Sequence, residues 1–185
     1  MTDPKMKSEA KRTAEKELAW ICAIMPEDYI RRIKTLCIEA NRGIGLSEKV
    51  FKFPLHISLK KSFLTDRFPE VLEEMRQYFT SRGAFTIKVS SLVKHEGMLW
   101  LDIERTPELL RVHAEIDSLL EKRFGIPLHR FDKHFEPHIS LFTDRDEEKI
   151  SEMYEAIRDD FYAESLTIRK IVVGADRERD TFIDI

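Results

Sequence analysis

The tetrapeptide His-Ile-Ser-Leu occurs twice in this chain of 185 residues, at 56–59 and 138–141, and the segments around it are duplicated as well. Residues 43–59 (GIGLSEKVFKFPLHISL) align without a gap over 125–141 (GIPLHRFDKHFEPHISL), with 8 identities. Upstream, each copy opens on a strand-like apolar run with a tryptophan inside it, LAWICAI at 18–24 and MLWLDI at 98–103. Each run leads into Pro-Glu, at Pro26 and Pro107. Proline is tolerated in the first turn of a helix, and an acidic side chain there suits the helix dipole. Thr106 is a good N-cap, whereas Met25 is not. Apolar residues then recur at helical spacing, and Gly43 and Gly125 read as helix stops. Downstream of each tetrapeptide comes a Thr-Asp-Arg segment (65–67 and 143–145), read as a helix start capped by Thr or Asp. Helical segments at 69–79 and 146–161 follow, and then β-rich runs, FTIKVSSLV at 85–93 and LTIRKIVV at 166–173. A final TFIDI (181–185) has the pattern of an edge strand.

The unit is β-α-β-α-β, written twice, and a repeat of this kind has to be recognised before any other reading of the chain. It predicts an α/β fold of the α+β type, with sheets backed by helices and two matching lobes that bring equivalent strands face to face. The expected organisation is a flexible tail over 1–16 and a single bilobal domain over 17–185, its copies running about 17–96 and 97–185. The length suits one domain. A 42% hydrophobic and 35% charged composition excludes general disorder. No apolar run approaches the ~20 residues that span a membrane, and the polar N-terminus does not read as a secretory signal. Cys22 and Cys37 show neither a CxxC nor a disulfide framework and read as buried thiols, so the expected setting is a reducing cytoplasm. The net charge of −3 argues against a binder of long nucleic acid. A monomer acting on a small or local ligand is the expectation.

Around each histidine the sequence alternates with period two, as in a half-buried strand. Phe53, Leu55, Ile57 and Leu59 share one face, and His56, Ser58 and Lys60 the other. In the second copy Phe135, Pro137, Ile139 and Leu141 oppose His138, Ser140 and Phe142. His and Ser thus emerge side by side from a rigid strand, a sound mount for catalytic groups. Two imidazoles facing each other can exchange protons near neutral pH, one accepting while the other donates. The neighbouring hydroxyls can hold the oxygens of a phosphate. Attack of water or a ribose hydroxyl on a phosphodiester fits this set and requires no metal. A single H-x-S is most simply a core histidine; its duplication at the same place in two repeats favours chemistry.

Two H-x-[ST] motifs about 80 residues apart, each on a strand of a duplicated α/β lobe, resemble the 2H phosphoesterase superfamily. That group includes the 2′-5′ RNA ligase-like proteins and the cyclic phosphodiesterases, and the resemblance covers nearly the whole chain after residue 16. It implies a bilobal fold of antiparallel or mixed sheets enclosing a central cleft, with helices outside. It also implies a cofactor-free site acting on 2′,3′-cyclic phosphates or 2′-5′ linkages of nucleotides and RNA ends, with 2′-5′ ligation as the reverse reaction. By position, His56 and His138 are the implied acid/base pair, and Ser58 and Ser140 the implied phosphate-binding hydroxyls.

Beyond these four, alternation puts Lys60 and Phe142 on the cleft side, as a candidate phosphate charge and a candidate base-stacking ring. Phe63, at the start of the following loop, is a third candidate substrate contact. Trp20 and Trp100 read as core anchors of equivalent first strands, and His95 and His113 as surface residues. Two other functions remain open. One is a nucleotide or RNA-end binding protein without turnover. The other is a metal hydrolase centred on His129, His134 and His138, disfavoured because residues four apart on a strand lie roughly 13 Å apart.

Overall fold

The structure is a computed structural model and describes residues 15–176 and 179–185. The expected tail over 1–16 therefore lies almost wholly outside the described residues.

The chain alternates as the repeat predicts. In the first copy β1 (Glu17–Ile24), α1 (Glu27–Asn41), β2 (His56–Thr65), α2 (Phe68–Arg82) and β3 (Phe85–His95) follow in order. The second copy runs β4 (Met98–Ile103), α3 (Pro107–Phe124), a short α4 (Arg130–Lys133), β5 (His138–Thr143), α5 (Glu147–Ile157), β6 (Glu164–Ile168) and β7 (Lys170–Ala175). The final strand, β8 (Arg179–Asp184), is the edge strand expected from TFIDI. Helix ends follow local chemistry. Thr106 Oγ1 accepts from Leu109 N at 3.2 Å, and Gly125 closes α3 in the left-handed region at φ 66°. α1 ends without such a glycine: its turn runs through Arg42 and Gly43, and the positive φ falls on Gly45. The cap of α5 is Asp146, one residue past the Thr-Asp-Arg segment.

Two four-stranded antiparallel sheets result, ordered β2-β1-β7-β8 and β5-β4-β3-β6. Each sheet borrows strands across the repeat boundary: β3 of the first copy pairs with β4 and β6, and β7 of the second pairs with β1. The run LTIRKIVV, read as one strand, is two. Ile168 pairs with Phe85 in one sheet, and Lys170 pairs with Ile24 in the other. The reason is a slip in phase, because Leu166 and Ile168 are the inward residues before Arg169 whereas Ile171 and Val173 are inward after it.

The helices cover one face of each sheet. Ala19, Ile21, Ala23, Ile57, Ile171 and Val173 from the first sheet join Leu99, Leu101, Ile139, Ile87 and Ile168 from the second in one continuous core with helix residues such as Ile33, Met75, Ile116 and Met153. A smaller apolar cluster of Cys22, Ile24 and Val172, with Trp20 and Phe53 against it, forms on the opposite face of the first sheet. The edge strands β2 and β5 pack beside each other, so the uncovered faces of the two sheets meet along the two His-x-Ser strands. Among the described residues, no helix is long and apolar enough to cross a membrane.

Candidate functional site

His56 and Ser58 stand on the uncovered face of β2, and His138 and Ser140 on that of β5. The flanking Ile57, Leu59, Ile139 and Leu141 are fully buried beneath them. The two imidazoles are held alike. His56 Nδ1 lies 2.9 Å from the carbonyl oxygen of Pro54, and His138 Nδ1 lies 2.9 Å from that of Glu136. A carbonyl oxygen only accepts, so each Nδ1 donates and the neutral ring carries its lone pair on Nε2. Both rings therefore present Nε2 to the cleft in a fixed tautomer and orientation.

Their surroundings differ. His56 is half-buried, with Phe53 edge-on at 5.0 Å between ring centroids. Burial holds its pKa below the usual histidine value; the positive field of a protonated His138 acts in the same direction, while the Pro54 hydrogen bond and Asp180 oppose it. The strands that carry the two rings, β2 and β5, pack beside each other. His138 is exposed, with the Trp100 ring tilted beside it at 5.4 Å. Across the ladder His138 faces Asp102, whose Oδ2 accepts from Ser90 Oγ at 2.8 Å, whereas His56 faces Ile24. Ser58 faces Cys22, a thiol that burial pushes up to about 12, so it stays protonated and unreactive at neutral pH.

Alternation fails just past each His-x-Ser, at the same place in both copies. The β1–β2 register passes from Cys22↔Ser58 to Ile21↔Lys60, and the β4–β5 register from Trp100↔Ser140 to Leu99↔Phe142. Leu59 and Leu141 are the extra residues of two equivalent β-bulges, and the side chains that follow, Lys60 and Phe142, change face; in β2 a second shift between Lys60 and Phe63 restores the phase. Lys60 and Phe142 consequently point under the sheets and do not reach the cleft, at 2% and 1% exposure. Phe142 packs edge-on against Phe51 at 5.3 Å. Phe63 is also turned into the core, at 8% exposure. None of the three candidate substrate contacts lies beside the histidines.

Lys60 instead enters a buried cluster of charges. Its Nζ lies 2.5 Å from Asp132 Oδ2 and 2.9 Å from Asp117 Oδ1, the latter without hydrogen-bonding alignment. Asp132 also accepts from the backbone N–H groups of Lys61 and His129. His113, expected at the surface, is buried on the inward face of α3, stacked on Phe135 at 3.9 Å. Its ring nitrogens reach the carbonyl oxygens of bulged Leu59 at 2.8 Å and Asp132 at 2.9 Å. Burial would raise both carboxyls. It prevails at Asp117, whose pKa is raised, whereas at Asp132 Lys60 and the two backbone donors outweigh it and the pKa is lowered. Ligand atoms of His113, Asp117 and Asp132 lie within 4.8 Å of one another, a spacing that would suit a cation, but the Lys60 ammonium already fills that role. The other metal candidate is dispersed: His129 Nδ1 accepts from Phe131 N at the start of α4, and His134 ends that helix.

The tryptophans are not core anchors in equivalent positions. Both stand partly exposed on the uncovered faces, and measured from the His-x-Ser pairs Trp100 occupies the place of Cys22, with Trp20 two residues earlier. Trp20 and Asp180 close over Gly174, where an added Cβ would lie 2.3 Å from Trp20 Cε2 and 2.4 Å from Asp180 Oδ1. Asp102 and Asp180 thus join the cleft face without having been singled out, and Trp100 joins it from an expected place in the core. Their signal lay in strand register, which only the pairing reveals.

The comparisons agree with this architecture. E. coli LigT in apo form superposes with a TM-score of 0.60 at 15% identity, over 92% of this chain and 95% of that one. A crystallised phosphoesterase gives 0.57 at 15% identity, over 92% and 96%. Usb1 of Kluyveromyces marxianus gives 0.54 at 12%, over 92% and 99%. A search of curated proteins returned no match. The model of the 2′-5′ RNA ligase superfamily matches residues 26–180, a span that includes both His-x-Ser strands, and the chain belongs to that superfamily.

Proposed function

We propose that the chain is a metal-independent phosphodiesterase acting on 2′,3′-cyclic phosphate or 2′-5′ phosphodiester bonds of nucleotides or RNA ends. The observation that carries this reading is the matched pair of Nδ1 hydrogen bonds, which leaves two Nε2 atoms available on neighbouring edge strands. Membership of the superfamily supports it. So do the ligands of fold relatives, 3′-AMP for E. coli LigT and uridine monophosphate for K. marxianus Usb1.

In the proposed reaction the Ser58 and Ser140 hydroxyls donate to the non-bridging phosphate oxygens. His56, kept neutral by burial, takes a proton from water on Nε2. The water oxygen forms a bond to phosphorus, the bond to a ribose oxygen breaks, and His138, entering the reaction as the imidazolium, gives its Nε2 proton to the departing alkoxide and is left neutral. A ribose 5′-hydroxyl in place of water would open a 2′,3′-cyclic phosphate by breaking its bond to O3′, leaving a 2′-5′ phosphodiester, a ligating reaction. Each proton transfer contributes on the order of 10²–10⁴-fold. The decisive experiment incubates the protein with EDTA and a panel of 2′,3′-cyclic nucleotides and 2′-5′ oligoadenylates. Turnover is expected to persist with chelator and to fall by at least about 10²-fold in His56→Ala and in His138→Ala. Full activity in both variants would overturn the reading. Saturable binding of 3′-AMP without product from any substrate would replace it with a binding function.

A further inference from the structure

His113 is buried on the inward face of α3, yet it touches the segments that lead to both His-Ser pairs. Its Nδ1 lies 2.8 Å from the carbonyl oxygen of Leu59, the bulged residue directly after Ser58. Its Nε2 lies 2.9 Å from the carbonyl oxygen of Asp132. The ring stacks on Phe135 at 3.9 Å with the planes 7° apart. Phe135 adjoins Glu136, whose carbonyl oxygen holds the His138 ring. One imidazole thus joins the strand behind Ser58 to the segment that sets His138.

A neutral imidazole has one N–H and one lone pair. A carbonyl oxygen accepts and does not donate, so a lone pair on either nitrogen would face oxygen lone pairs at 2.8 or 2.9 Å. Both contacts are hydrogen bonds only when both nitrogens carry protons, as in the imidazolium. The charge is answered locally, because Asp117 Oδ2 lies 3.3 Å from Nε2. Around the ring stand Lys60 from β2, Asp117 from α3 and Asp132 from α4, so that two carboxyls face two cations. A buried charge without such partners would be too costly to desolvate. At the equivalent bulge of the second copy, Phe142 meets Phe51 edge-on at 5.3 Å, an apolar contact that sets spacing but not direction. Hydrogen bonds from a planar ring set direction as well. We infer that His113 is a positioning residue: as a buried imidazolium it donates to Leu59 and to Asp132, and so fixes the His56-Ser58 pair relative to the His138-Ser140 pair. Its kinetic consequence rests on the phosphodiesterase reading; its protonation and its contacts do not.

The first test uses the unaltered protein with nitrogen-labelled histidines and reads the His113 ring by NMR at neutral pH. Both ring nitrogens should be protonated, and one unprotonated nitrogen would overturn the inference whether or not any variant folds. His113→Gln keeps a donor for one carbonyl and removes the ring and its charge. It should move the ring resonances of both His56 and His138, which a loss of stability alone would not do. Unmoved resonances in the folded variant would overturn the positioning role. With adenosine 2′,3′-cyclic phosphate as substrate, kcat of folded His113→Gln should fall on the order of 10- to 10²-fold with KM little changed. A wild-type kcat would equally overturn it. Failure of the phosphodiesterase reading appears separately, as turnover that survives both His56→Ala and His138→Ala, and leaves the two NMR readouts in force.

Discussion

Lys60 Nζ lies 2.5 Å from Asp132 Oδ2, and this buried ion pair ties the strand that carries His56 to α4, the short helix that precedes the His138 strand. Asp132 further accepts from the N–H groups of Lys61 and His129, so both partners belong to a network that fixes one His-x-Ser strand relative to the other. Removing one member of a buried pair leaves the other charge desolvated. Asp132→Ala should therefore cost about 3–5 kcal/mol in urea unfolding, and a loss under 1 kcal/mol would show the pair to be dispensable.

The same cluster has a pH signature. Asp132 has a lowered pKa, so its contribution is present above the unfolded value of about 3.9 and is lost as pH falls through the folded value. Asp117 has a raised pKa and acts oppositely: its contribution is present below the unfolded value and is lost as pH rises through the folded one. Between pH 6 and 3, Asp132→Asn should flatten the decline of the urea midpoint, and Asp117→Asn should steepen it. Identical slopes in both variants would contradict the assignment.

Catalysis should carry the mark of the His56 environment. Burial lowers the pKa of that ring, so the acidic limb of kcat/KM, where the base becomes protonated, is expected below pH 6.5. A limb above pH 7 in the pH–rate profile would exclude His56 as the base.

Ser58 and Ser140 are exposed, so their alanine variants should unfold within about 0.5 kcal/mol of wild type. Each should nonetheless lower kcat on the order of 10²-fold if the hydroxyl stabilises charge developing on the phosphate. Loss of activity with an equal loss of stability would indicate a structural role instead.

Gly174→Ala tests the packing of Trp20. The new Cβ would fall 2.3 Å from the indole and 2.4 Å from the Asp180 carboxylate, with β7 paired on both sides and unable to yield. A cost of about 1–3 kcal/mol is expected, with a shift in tryptophan fluorescence as the indole moves. An unchanged spectrum and midpoint would show that the site relaxes freely.

Much of the fold was legible because periodicity is local. The repeat, the alternation through His56-Ile57-Ser58 and His138-Ile139-Ser140, Thr106 as a cap and Gly125 as a stop all follow from short-range sterics and hydrogen bonding. The four central side chains were legible for the same reason, since two residues of alternation carry them to one face. Lys60 and Phe142 were misread because alternation was carried across Leu59 and Leu141, where each bulge inserts a residue. The tryptophans were misread because matching the two runs by their tryptophans gives a different alignment from the strand register.

The sequence by itself determined a duplicated β-α-β-α-β chain with two His-x-Ser strands, since each of those features depends only on neighbours along the backbone. Tertiary structure alone decided that β3 and β7 cross between sheets, that Lys60 pairs with Asp132 beneath the strand, and that Trp100, Asp102 and Asp180 stand on the cleft face. Those outcomes turn on which strand edges hydrogen-bond and in what register. A bulge reverses the phase of the side chains that follow it until a second shift restores it, and no pattern within one strand records where its partner will place it.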